Sequence, residues 1–131
     1  MTTAIFGGGT TNLDALAVAG ALTLGSATQA VPSGSAPLFG ARAWCIFNGA
    51  TTGTNAPAAG GNVASITRNS AGNYTVTFAT AMPDNNYAPA ISSAASQTTI
   101  SSLSAGSFVL ATYNTAGVAT DAALVSVSIF R

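Results

Sequence analysis

The sequence predicts an all-β domain, an antiparallel β-sandwich or jelly roll, that follows an N-terminal arm. From residue 40 onward, short runs of Val, Ile, Thr, Tyr and Phe alternate with clusters of Gly, Asn, Ser and Pro. The spacing of these runs is typical of sandwiches and barrels. Before residue 40 the composition is different, because a triple-glycine run and a linker rich in Pro, Ser and Gly dominate it. We therefore expect an arm with its linker at 1–39 and a domain at 40–131, a size that fits one domain.

The arm contains one alternating apolar run. Leu16, Val18, Leu22 and Leu24 share a face at a period of two, which indicates a half-buried strand. A helix is the alternative because an aspartate precedes the run and could cap it. Gly20 in the middle of the run favours the strand. Since one element cannot bury its own apolar face, we expect these side chains to attach the arm to another body.

The domain begins with a clear strand signal. Residues 41–47 are mostly apolar and end at the turn signal Asn48-Gly49. The following stretch, 51–61, is predicted to be a loop because Thr, Gly, Ala and Pro dominate it. We therefore predict one strand and then a long loop in this part.

The next part of the chain predicts a hairpin. Strands at 63–67 and 74–80 are separated by a predicted loop. In the second strand, Tyr74, Val76 and Phe78 occupy one face and small or hydroxylated residues the other. Strict alternation of β-branched and aromatic residues excludes a helix here.

The middle of the domain carries a turn and three further strands. The turn at 82–86 contains a proline that fixes one backbone dihedral, together with Asp and Asn residues that bond locally to the backbone. The strand predicted at 87–92 contains Pro89, which fits an edge strand or a bulge better than a sheet centre. Two more strands are predicted at 98–103 and 107–113.

The last strand shows the same alternation. A turn signal at 114–117 precedes it, and the strand itself is predicted over 123–131. Val125, Val127 and Ile129 share one side of this strand, and Leu124, Ser126, Ser128 and Phe130 share the other.

Charged residues are scarce. They form 5% of the chain, as three arginines and three aspartates, with no lysine, glutamate or histidine. Nucleic acids and acidic lipid surfaces bind clustered Lys and Arg, so we expect neither as a partner. The apolar run of the arm is too short to cross a bilayer and lacks the flanks of a signal peptide. A monomer of this size usually carries more surface charge, so we expect part of the surface to be buried against other subunits.

The chain offers little material for catalysis or metal binding. General acid-base chemistry uses His, Glu, Asp or Lys, and of these only three aspartates are present. The segment Asp84-Asn85-Asn86 lacks the spacing of a calcium loop and is predicted to be a turn. The single Cys45 cannot form an intrachain disulfide and is expected to be buried. We therefore expect no enzymatic activity, no cofactor and no metal.

Loop residues are the candidates for ligand binding. The loops at 51–61, 83–86 and 114–120 are expected to point outward, and their Thr, Asn and Gly content suits hydrogen bonding to glycans as well as plain solvation. Tyrosines beside turns can stack on sugar rings or pack in the core, whereas Trp44 and Tyr74 lie within apolar alternation and are predicted to be core residues. The candidate ligand-binding residues are Asn85, Asn86, Tyr87, Tyr113 and Asn114.

Several fragments taken together resemble a known family. They are ARAW at 41–44, GNVASIT at 61–67, GNYTVTF at 72–78, AMPDNNY at 81–87 and VSVSIFR at 125–131. This combination resembles the small β-domains at the ends of bacteriophage tail fibres and related virion fibre proteins. The segment LAVAGALTLGSAT at 16–28 resembles, more weakly, one repeat of the shaft of such fibres.

The resemblance implies a homotrimer that is set on the virion by its N-terminal part. It would then expose a β-rich knob, whose distal loops meet a host-surface polysaccharide. Arg42, Arg68 and Trp44 become candidate contacts between subunits, and residues 1–39 would bind a tail adaptor or a capsid subunit. Because this chain has almost no shaft, a compact trimer suits it better than a long fibre.

Two functions are therefore open for a virion protein made in the host cytoplasm. One is a short trimeric fibre or spike with a glycan-binding knob. The other is a capsid decoration or cement trimer that stabilises the head lattice.

Overall fold

The computed structural model describes residues 22–24, 27–29 and 40–131. The described part is all-β: its strands form antiparallel sheets, and it contains no helix. No helix in these ranges is therefore long and apolar enough to cross a membrane. By its internal contacts the chain divides into two compact units, Met1–Leu38 and Phe39–Arg131.

The first unit contains a short antiparallel hairpin. Its strands are β1 (Leu22–Leu24) and β2 (Ala27–Gln29), with Leu22 opposite Gln29 and Leu24 opposite Ala27. The strand predicted in the alternating run at 16–24 thus agrees with the structure over residues 22–24. The predicted attachment residues Leu16 and Val18 lie outside the described residues.

The second unit carries nine strands in two sheets. Their bounds are β3 (Ala41–Phe47), β4 (Gly53–Asn55), β5 (Ala59–Gly61), β6 (Val63–Ser70), β7 (Asn73–Phe78), β8 (Ala88–Ser93), β9 (Gln97–Leu103), β10 (Ser107–Tyr113) and β11 (Val125–Phe130). One sheet has the order β4-β6-β7-β10-β9 and the other the order β5-β3-β11-β8. All pairs are antiparallel, an arrangement consistent with a β-sandwich.

Alternate residues of both sheets build one core. The five-stranded sheet contributes Tyr74, Val76 and Phe108 among others, all buried. The inward residues of the four-stranded sheet are Ala43, Cys45, Phe47, Val125, Val127 and Ile129. The two sheets meet through an edge-to-face contact between Phe47 and Tyr74, whose ring centroids are 5.4 Å apart. The predicted core position of Tyr74 and the predicted alternation along β7 and β11 are therefore confirmed.

Cys45 lies within this core, as predicted. Burial raises the pKa of its thiol to about 12, because the thiolate would lose its hydration there. The thiol therefore stays protonated and acts as a small apolar side chain.

Two predicted loops contain strands. The stretch predicted as a loop at 51–61 holds β4, which pairs with β6, and β5, which pairs with β3. Both are three-residue edge strands, and all their residues except Thr54 are Gly, Ala or Asn, which have low strand propensity; they form because their neighbours offer free backbone groups. The predicted loop of the hairpin is also shorter than expected. Strand β6 continues to Ser70, and the chain turns tightly at Gly72, whose φ is +64°.

The prediction of an edge position for the strand with Pro89 is confirmed. Strand β8 lies at the end of the four-stranded sheet and pairs only with β11 in the described part. An edge strand tolerates proline because one of its sides needs no ladder hydrogen bond.

The core position of Leu110 makes a direct test of this packing. Leu110 is fully buried at the centre of β10. We expect Leu110→Ala to lower the free energy of unfolding by about 2–5 kcal/mol, because it leaves a cavity between the sheets. The matched control is Ile100→Ala in the neighbouring strand, which is exposed and should cost less than about 1 kcal/mol. Urea unfolding at neutral pH measures both, and equal losses would contradict the assigned core.

Candidate functional site

The outward side of the four-stranded sheet is an extended surface without an acidic residue. We call it the outer sheet face. Its central residues follow from the register, in which Trp44 lies opposite Ser128 and Ile46 opposite Ser126. Strand β8 continues the same rows with Ala90 and Ser92, and β5 continues them with Gly61 and Ala59. The face therefore consists of small, hydroxylated and apolar side chains.

Large apolar side chains are concentrated on this face. Trp44 is 44% exposed, Phe130 37%, and Leu124, which precedes β11 and continues its alternation, 54%. These are three of the five large hydrophobic side chains that are exposed in the described part. Such clustering marks protein interaction surfaces more often than chance scatter does.

The position of Trp44 corrects a prediction. The sequence predicted a core residue, but Trp44 points away from the core side of β3, which Ala43, Cys45 and Phe47 occupy. Alternation shows which residues share a face but not which face meets the second sheet. The indole instead lies over Gly61 of the neighbouring strand, where a β-carbon would come within 2.7 Å of its Nε1 atom. Gly61 thus makes room for the tryptophan on the surface.

The charges of the described part are almost all paired within the chain. Asp84 binds Arg131 and Asp121 binds Arg68, each with an N–O distance of 2.7 Å. Among the residues that the structure describes, Arg42 forms no ion pair; it is exposed on β3, two residues before Trp44. Arg42 therefore remains a candidate subunit contact, and it lies beside the aromatic residue of the outer sheet face.

Arg68 is engaged inside its own chain. Its Nε and Nη2 atoms donate to the two carboxylate oxygens of Asp121 at 3.0 and 2.7 Å. The backbone N–H of Gly72 and the hydroxyl of Tyr74 donate to the same carboxylate at 2.8 and 3.0 Å. We call these four residues the Asp121 cluster. Arg68 thus makes its ion pair within its own chain, and its predicted role as a subunit contact stays a prediction.

The Asp121 cluster holds its carboxylate in the charged form. Hydrogen bonds from Arg68, and then from Gly72 and Tyr74, hold the pKa of Asp121 well below its usual range. Sequence reasoning placed Asp121 in a plain loop before the last strand. Its partners are 47 to 53 residues away in the chain, so no local signal indicated them.

The loop at 82–86 has the predicted turn character. Asp84 accepts the backbone N–H of Asn86 at 2.7 Å, and this bond, more than Arg131, lowers its pKa. Asn85 and Asn86 are exposed there, as a ligand-binding loop would need.

Tyr87, by contrast, belongs to the core. Its hydroxyl donates to the backbone carbonyls of Ser104 and Ser107 at 2.9 and 3.0 Å, and its ring packs edge-to-face on Phe78. The sequence left stacking and core packing open for this residue, and the structure favours packing. Tyr87 is therefore dropped from the candidate ligand-binding residues.

Tyr113 and Asn114 lie at the other end of the domain. Both are half-buried, and the side-chain oxygen of Asn114 accepts the N–H groups of Ala116 and Val118, so it builds the turn. Strand β10 runs from Ser107, beside Tyr87, to Tyr113, a span of about 20 Å. The predicted ligand-binding residues thus fall at two opposite ends and do not form one site.

Comparisons with known proteins add no assignment. No family model matches the sequence, and neither the curated proteins nor the solved structures provide a match. Function must therefore be inferred from the surfaces and contacts described above.

The Asp121 cluster predicts an acid-sensitive contribution to stability. Because the folded state lowers the pKa of Asp121, its contribution is complete above the ordinary value of about 3.9 and is lost as the pH falls below it. We expect Asp121→Asn to lower the urea midpoint clearly at pH 7, and the difference from the unmodified protein to shrink towards pH 2.5.

The control for this prediction is Asp84→Asn, which breaks the more exposed bridge to Arg131. It should change the midpoint at pH 7 only slightly, since exposed ion pairs contribute little. A deficit in Asp121→Asn that stays constant from pH 7 to pH 2.5 would contradict the role of the carboxylate.

Proposed function

We propose that this chain is a bacteriophage virion protein, a short trimeric fibre or spike whose β-domain is the exposed knob. The fragments that resemble phage fibre domains support this proposal. So does the outer sheet face, which is apolar, carries Arg42 as its charged residue and has no acidic partner of its own. The domain would serve as a binding and structural module rather than an enzyme.

The single observation that carries the proposal is the exposure of Trp44 on this face. Burying an exposed tryptophan and its apolar neighbours against another subunit removes them from water, which is the main driving force of association. Tryptophan and arginine are also the residues that most often dominate binding energy in interfaces. Trp44 of each copy would therefore pack around the three-fold axis, and Arg42 would lie at the solvated rim of that contact.

The arm completes the proposed assembly. Residues 1–39 would bind a tail adaptor or a capsid subunit, with the apolar run at 16–24 as the attachment segment. The knob would then contact a host-surface polysaccharide through uncharged loops, which offer hydrogen-bond donors and acceptors to sugar hydroxyls.

The second candidate function is a capsid decoration or cement trimer. The core position of Tyr87 and the use of Asn114 inside its turn favour it, because both weaken the predicted ligand surface. The two functions differ in copy number, since cement proteins occur in dozens of copies and fibres in few. Localisation of the protein in an electron-microscopy map of the intact particle separates them.

Trp44→Ser tests the proposed assembly. We expect the unmodified full-length protein to have the mass of a trimer by native mass spectrometry and light scattering at micromolar concentration. Loss of a central tryptophan contact typically costs 2 kcal/mol or more, about a 30-fold weakening per contact, so the variant should be mainly monomeric.

The matched control is Val118→Ser, which removes an apolar side chain that is also exposed but lies in the turn at 114–118. It should leave the trimer intact. A monomeric unmodified protein, or a variant at Trp44 that remains trimeric, would contradict the assembly through the outer sheet face.

A further inference from the structure

A cavity of about 150 Å³ lies at one edge of the domain, between the two sheets. Strand β4 belongs to the edge of the five-stranded sheet and β5 to the edge of the four-stranded sheet. The linker 56–58 therefore passes from one sheet to the other and helps to close the cavity. Part of the cavity wall comes from the stretch 51–61, which the sequence predicted to be an outward loop.

The floor of the cavity is apolar and rigid. Phe47, Ile66 and Tyr74 line it, and all three are core residues. The hydroxyl of Tyr74 is bound to Asp121, so the tyrosine offers its ring rather than its polar end. Every side chain that lines the cavity is uncharged. A charged group entering it would lose water without gaining a counter-charge, which is unfavourable.

Two asparagines at the rim are exposed, and each amide has one hydrogen bond within the chain. The Oδ1 atom of Asn48 accepts the backbone N–H of Ala50 at 2.9 Å, and the Nδ2 atom of Asn55 donates to the carbonyl of Thr52 at 2.8 Å. These bonds fix the orientation of both amides. In residues 40–131, the Nδ2 of Asn48 and the Oδ1 of Asn55 have no hydrogen-bond partner. The rim thus provides one donor and one acceptor.

The backbone around the cavity is held in place by its own contacts. Gly49 donates to the carbonyl of Ala122 at 2.9 Å and lies against the Tyr74 ring, where a β-carbon would collide with the ring and the hydroxyl. The N–H of Ala58 donates to the carbonyl of Ile46 at 2.9 Å. A preformed site of this kind loses little free energy to ordering when it binds.

We propose that this cavity binds the acetamido group of an N-acetylated amino sugar in a host-surface glycan. The volume corresponds to about five water molecules at ~30 Å³ each, which is enough for one substituent but below the ~300 Å³ of ordinary small-molecule pockets. The methyl group meets the apolar floor. The carbonyl accepts from Asn48 and the amide N–H donates to Asn55, so all three parts of the group are matched.

This proposal rests on the host-glycan contact of the proposed function, and it names the chemical group of the glycan that is bound. It also transfers the ligand site from the predicted loop at 83–86 to the stretch at 48–58. A plain sugar hydroxyl can pair with the amides but leaves the apolar floor without a partner, which is the basis of the expected selectivity.

Ligand-observed saturation-transfer NMR on the full-length protein tests the cavity. The probes are the methyl glycosides of N-acetylglucosamine, N-acetylgalactosamine and glucose. We expect the acetyl methyl of the two N-acetylated sugars to receive the strongest transfer, and glucoside to bind at least tenfold more weakly.

Two variants examine the site itself. Asn48→Asp keeps the acceptor for Ala50 but removes the free donor, and Ala58→Leu adds a side chain that fills the cavity. Each should weaken binding about tenfold or more while circular dichroism and the urea midpoint stay near those of the unmodified protein. Gln97→Glu, the same amide-to-carboxylate change at an exposed position of β9 that does not line the cavity, is the matched control and should bind normally.

The outcomes separate this proposal from the proposed function. Equal binding of glucoside, or unchanged binding by Asn48→Asp and Ala58→Leu, would overturn the cavity proposal. If the protein binds only non-acetylated bacterial glycans on an array, the cavity proposal fails and the host-glycan role stands. If no glycan binds while the trimer and its place on the particle are confirmed, both the cavity and the glycan contact fail and the structural role remains.

Discussion

The structure depends on the burial of alternate strand residues between two antiparallel sheets. Because the chain has so few charged groups, this apolar packing cannot be supplemented by many ion pairs, and the core must supply most of the stability. The same alternation leaves every second residue outside the core. In most soluble domains charged side chains would occupy those positions, whereas here Ser, Thr, Ala and a few large apolar residues do. The outer sheet face is thus a direct consequence of how the core is built.

The Asp121 cluster differs from this apolar packing because it depends on charged groups. One carboxylate joins the end of β6, the turn at Gly72 and the ring of Tyr74 to the segment before β11. Tyr74 also contacts Phe47 and lines the cavity, so the cluster supports the place where the two sheets and the stretch 48–61 meet. Through Tyr74 this network supports the floor of the proposed sugar site, whereas its charged members, Arg68 and Asp121, do not line the cavity.

The two proposed surfaces are supported by different kinds of contact and serve different partners. The outer sheet face is broad, exposed and aromatic, which suits a second copy of the chain. The cavity is small, uncharged and rimmed by two amides, which suits a neutral substituent of a sugar. A knob that assembles through one surface and binds glycans through another would keep its ligand sites accessible after assembly.

Periodicity alone predicted most of the strands and the alternation along β7 and β11, because a period of two reports directly on a half-buried strand. Pro89 within β8 likewise indicated the edge position of that strand, because proline has no N–H group for a ladder hydrogen bond. Only the packing of the second sheet decides which side of β3 faces the core. It therefore also decides that Trp44 is exposed. The short edge strands β4 and β5, the Arg68–Asp121 bond and the cavity also arise from contacts between residues far apart in the chain. Local residue patterns do not indicate such pairings, so these features could not be predicted from the sequence and were found only in the folded structure.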